Sequence, residues 1–140
     1  MITETSLGYA EAKRAIDAVI DAMNSQKLAA TVAVADAHGE LIALARADGA
    51  TLASIVIAQN KAWTAARERQ PSRDIGQAAR HPETGFDLAY FGDRRYIGWG
   101  GGLPVVIDGK VVGAVGVSGV PEEVDMRLAQ VGVEAILRNR

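Results

Sequence analysis

Residues Leu103–Gly119 read LPVVIDGKVVGAVGVSG, two apolar runs on either side of Asp108-Gly109. An Asp-Gly pair between such runs favours a two-residue primed turn, because its positive φ angles match the twist of the flanking strands. The stretch is therefore predicted to be a β-hairpin. Strand alternation puts Val112, Ala114, Gly116 and Ser118 on one face, and Val111, Gly113, Val115 and Val117 on the other. A face lined by Ala, Gly and Ser admits a helix or a ligand close against it.

Gly100, Gly101 and Gly102 stand just ahead of this hairpin. They do not form a nucleotide cradle. A dinucleotide fingerprint or a P-loop opens a helix whose N-terminus holds the phosphate, and here the glycines open a strand. They are expected to be a rim where a polar loop meets a small-residue strand.

Working outward, Thr31–Ala35 and Leu41–Ala45 form a second strand pair around a turn containing Asp36, His38 and Gly39. Ser6 is predicted to cap a first helix to Gln26, with Ala12, Ile16, Val19, Ile20 and Met23 on its inner face. Thr51 is predicted to cap a second helix to Arg69. Its buried stripe is expected to be Leu52, Ile55, Val56, Gln59, Ala62, Trp63 and Ala66, and its small-residue back is an interface candidate. Pro71 stops that helix, and a short one follows at Ser72–Arg80. Pro121, Glu122 and Glu123 open a last helix, with Val124, Leu128, Val131 and Ala135 inward. The order predicts an α+β fold: a central antiparallel sheet of two hairpins covered by helices, one domain over residues 1–140.

Composition narrows the function classes. The chain has 140 residues, 49% of them hydrophobic, which is enough for one sizeable core. The net charge of −2, with no basic stripe, gives no footprint for nucleic acid. No apolar run approaches the ~18 residues of a membrane span. The opening MITETSLGYAEAK lacks the apolar core of a signal peptide, so a cytoplasmic protein is expected. With no cysteine, disulfides, thiolate metal sites and a cysteine nucleophile are excluded.

Three segments carry a family likeness: Val32–Ala50 (VAVADAHGELIALARADGA), Ala53–Ala66 (ASIVIAQNKAWTAA) and Gly101–Gly119 (GGLPVVIDGKVVGAVGVSG). On these, and on the last helix with Asp125 ahead of Ala129, the sequence resembles the GlcG/HbpS family. That haem-binding-protein-like group includes the C-terminal domain of PduO-type proteins. The resemblance spans most of the chain except about residues 70–100. It implies a profilin- or sensor-like layered domain, a homo-oligomer, and haem as a candidate cofactor. For function it implies either a small-ligand-binding protein or an enzyme of small-molecule catabolism.

The loop His81–Gly102 lies mostly outside the likeness and is rich in aromatic and charged residues. A plain connection of this length is uncommon, which makes it a candidate binding loop. His81, Glu83 and Asp87 are its candidate proton-transfer groups. Arg94, Arg95 and Tyr96 suit a small carboxylate, since guanidinium forks bind such groups in a bidentate way. His81 and Tyr90 are the candidate haem contacts, whereas His38 belongs to a solvated turn. Two histidines are too few for a three-histidine metal site, and no metal is expected. Gln59, Gly100, Gly101, Gly102 and Ser118 complete the candidate ligand contacts, together with Lys61. By its side of the helix, Lys61 is expected to be solvated or interfacial, gaining base or Schiff-base character only if a contact desolvates it.

Overall fold

The computed structural model describes residues 1–140. In chain order it has α1 (Tyr9–Gln26), β1 (Thr31–Asp36), β2 (Leu41–Arg46), α2 (Ala53–Glu68) and α3 (Ser72–Ala79). A 3-10 turn at Leu88–Phe91 follows, then β3 (Gly102–Ile107), β4 (Lys110–Ser118) and α4 (Glu122–Arg138). The strands form one antiparallel sheet in the order β2-β1-β4-β3. The two hairpins join along their inner strands, from Thr31↔Ser118 to Asp36↔Gly113. Asp108 and Gly109 have φ of 52° and 76°, as a primed turn requires.

Helices α1 and α4 cover one face of the sheet over a core of mainly branched residues, including Val19, Val32, Val34, Val115, Val117, Leu128 and Ile136, with Met23 among them. Helix α2 covers the other face through alanines: Ala58, Ala62, Ala65 and Ala66 meet Ala33, Ala35 and Ala114. A Cβ on Gly116 would strike the Ala58 carbonyl, so glycine sets how closely this helix approaches.

That packing bears out the expected stripe of α2 at Ala62, Trp63 and Ala66 but rotates its first half. The alanine side is buried, while Leu52 and Val56 face outward. The small-residue back is therefore spent inside the subunit and is no interface. Two caps also differ. Gly8 precedes α1, with its N–H donating to Glu11 Oε2 at 3.1 Å. Ser6 instead accepts the Ala37 N–H at 2.9 Å, because Leu7 N–H bonds Val112 O and draws the chain along the sheet. Helix α2 is preceded by Leu52, and the Thr51 carbonyl rather than its hydroxyl accepts from Ser54.

The strand alternation is broken twice, once in β1–β2, where Ile42 is an extra residue between Ala43 and Leu41, and once in β3–β4. Val105 pairs with Gly113 and Val106 with Val111, so Val112 is an extra residue on β4. This bulge turns Val112 into the branched core, away from Ala114, Gly116 and Ser118.

Candidate functional site

Two sites of different character flank α2. The first lies under the glycine run. Lys61, 2% exposed, donates from Nζ to Asp125 Oδ2 at 2.9 Å and to Val117 O at 2.9 Å. Asp125 also accepts the Val120 N–H at 3.2 Å. Burial pushes the Asp125 carboxyl above its ordinary range, and the Lys61 ammonium only partly offsets this.

Gly101 forms the roof of this pair at φ 127°, where a Cβ would sit 2.9 Å from Lys61 Nζ. The neighbouring glycines are equally committed to packing. Gly100 N–H donates to Glu122 Oε2 at 2.8 Å, and Gly102 N–H donates to Ser72 Oγ at 2.9 Å. Ser72 in turn donates to Trp99 O at 2.7 Å. Ser118 is buried beside Thr31. Gln59 donates to Ile55 O at 3.1 Å within its own helix, which satisfies it without a ligand. So the glycine run is a close-packed lid over a buried ion pair, where sequence reading expected a rim and a solvated or interfacial lysine. Asp125 was missed as its partner. The signal for it was a lysine among alanines, which needs a buried carboxylate in reach.

The second site is a cleft of about 430 Å³ between α3 and the 81–99 loop. Phe86, Leu88, Ile97 and Trp99 supply apolar wall, with Arg80 and Asp87 beside them. Its floor is a backbone contact, since a Cβ on Gly76 would strike the Gly98 carbonyl. Thr64 ties the loop to α2, donating to Arg95 O and accepting from Ile97 N–H, both at 3.1 Å. Behind the cleft runs an aromatic series. Phe86 meets Phe91 edge-on at 5.8 Å, Phe91 stacks on Tyr96 at 4.1 Å, and Tyr96 meets Trp63 edge-on at 4.7 Å. The Tyr96 hydroxyl donates to Glu68 Oε2 at 3.0 Å; burial first, and then Glu68, raises its pKa.

A family model described as "Haem degrading protein HbpS-like" matches residues 7–134. The chain belongs to the HbpS-like family. Protein GlcG of Escherichia coli K12 is 34% identical over 84% of this chain and 85% of its own. The crystal structure of Klebsiella pneumoniae protein ORFY superposes with a TM-score of 0.94 at 31% identity, covering 100% of this chain and 97% of that one. A structure described as the PduOC:Heme complex superposes at 0.86 with 26% identity, over 94% and 95% of the two chains.

Within this HbpS-like chain the loop candidates are dispersed. His81 Nδ1 accepts the N–H groups of Glu83 and Thr84, both at 3.1 Å, and so closes a local turn. Glu83 is exposed, while Asp87 caps the 3-10 turn by accepting Ala89 N–H at 2.9 Å. Tyr90 is 84% exposed on that same turn. Arg95 is held by Asp93 at 2.9 and 3.1 Å and lies over the Trp63 ring at 4.3 Å. Arg94 is exposed and makes no ion pair, so the two arginines differ in their partners. No group of three His, Asp or Glu side chains is placed to hold a metal ion. No helix is long and apolar enough to cross a membrane.

Proposed function

We propose that this chain is a haem-binding member of its family, with the cleft between α3 and the 81–99 loop taking the flat ring. The observation that carries this is the open aromatic wall: Trp99 is 56% exposed beside Phe86, Leu88 and Ile97. Half-open apolar walls with a few polar groups are what a flat, largely apolar ligand requires. The family description and the haem complex of a 26% identical relative support the same choice of ligand.

The residues present fit the group, with one restriction. Arg80 lines the cleft without an ion-pair partner, and its guanidinium suits a propionate. When bound, haem supplies a redox-active iron. Of the two candidates to hold the iron, His81 would be the poorer, because accepting two N–H bonds at Nδ1 leaves the proton on Nε2. Tyr90 would be the better one, exposed and free of such a commitment, and the restriction is that neither residue lines the cleft itself. Titration with hemin tests this reading: a saturable Soret shift at one per chain is expected, weakened about tenfold in Trp99→Ala. A featureless, non-saturating titration would remove it.

The same reading takes the protein as a homo-oligomer. Leu52 (75% exposed) and Val56 (60%) lie one turn apart on the outer face of α2 and are the contact we assign to a second copy. Light scattering should show Val56→Asp reduced in size; an unchanged mass would exclude that face.

A further inference from the structure

A recess of about 810 Å³ on the other side of Tyr96 is absorbed by neither site. Its walls are the N-terminal strap Ile2–Thr5, the end of α2 at Arg67–Arg69, and the β-turn at Gly109–Val111. The strap is held in place by Leu7 N–H on Val112 O and by Ala37 N–H on Ser6 Oγ.

The charges around the recess do not cancel. Two carboxylates lie on its wall, each hydrogen-bonded, Glu4 with His38 at 2.6 Å and Glu68 with the Tyr96 hydroxyl at 3.0 Å. Arg67, Arg69 and Lys110 also line it, and none of them has a carboxylate within ion-pair distance. Arg67 is oriented further, stacked 4.7 Å from the centre of the Trp63 ring with Nη1 donating to His38 O at 3.5 Å. The C-terminus of α2 contributes about half a negative charge here, so that three cations against two carboxylates leave the recess weakly positive.

We propose that this recess binds a small organic dianion, a dicarboxylate or a phosphate ester. Arg67 and Arg69 would take one anionic group through their planar forks, and the Lys110 ammonium the other. This is the anion site that sequence reading looked for at Arg94 and Arg95, where Arg95 is already neutralised by Asp93 and Glu40. It is independent of the haem reading, since none of the three cations lines the cleft.

Calorimetry of the haem-free protein at low salt, with succinate and inorganic phosphate as separate probes, tests it. Saturable binding of at least one probe is expected, weakened about tenfold in Arg69→Gln and in Lys110→Gln, as for loss of one charge-assisted contact. All three cations are exposed, so the variants should fold normally. Arg138→Gln, an exposed change on α4, should leave binding as it was. Binding of phosphate alone assigns a phosphate ester, and binding of succinate alone assigns a dicarboxylate. No saturable heat with either probe, or equal weakening in Arg138→Gln, overturns the proposal.

Discussion

Lys61 Nζ sits 2.9 Å from Asp125 Oδ2, with the two side chains 2% and 5% exposed. The contact ties the middle of α2 to the first turn of α4 across the edge of the sheet, beneath Gly101. Removing one partner leaves an uncompensated buried charge. Lys61→Ala is therefore expected to lose about 3–5 kcal/mol in urea unfolding, while the double change Lys61→Met with Asp125→Leu recovers most of it. If Lys61→Ala were neutral, the pair would not be sealed from water.

Gly76 and Gly98 set the floor of the cleft by direct backbone contact. Gly76→Ala inserts a methyl group where the Gly98 carbonyl stands, and overpacking of this kind costs about 1–3 kcal/mol. Because the displaced loop carries Ile97 and Trp99, the same variant is expected to lose hemin affinity as well as stability. Stability lost with affinity intact would place the ligand elsewhere.

The Arg95 guanidinium holds the Asp93 carboxyl down, from 3.8 to about 2. A depressed carboxyl contributes stability that is present above 3.8 and is lost as pH falls through about 2. Asp93→Asn is thus expected to flatten the acid limb of the stability profile in that window. The Asp125 effect has the opposite sign. Its raised carboxyl favours the folded state on the acid side of its pKa, and that contribution fades as pH rises through it. Stability profiles of Asp93→Asn and Asp125→Asn measured side by side check both signs; matching slopes would contradict them.

The element order and both hairpin turns were legible in the sequence, because Asp108-Gly109 and the Asp36–Gly39 turn act locally through φ preference and side-chain caps. The inner face of α2 was legible only at Ala62, Trp63 and Ala66. Periodicity favours its larger apolar residues, yet Gly116 brings the helix so close to the sheet that only alanines fit, leaving Leu52 and Val56 outside. The bulge at Val112 and the reach from Lys61 to Asp125 depend on pairings between distant segments, which a period cannot reveal. The residues of the 81–99 loop divide between local turns and the cleft wall. The contact of Gly76 with Gly98, which creates that wall, has no local signature.

The central claim, a flat tetrapyrrole held between α3 and the 81–99 loop, is tested most directly by amide NMR with diamagnetic zinc protoporphyrin. Saturable shifts confined to Gly76, Ala79, Leu88, Ile97 and Trp99 are the expected result. Shifts confined to the outer face of α2, or none at saturating ligand, would contradict it.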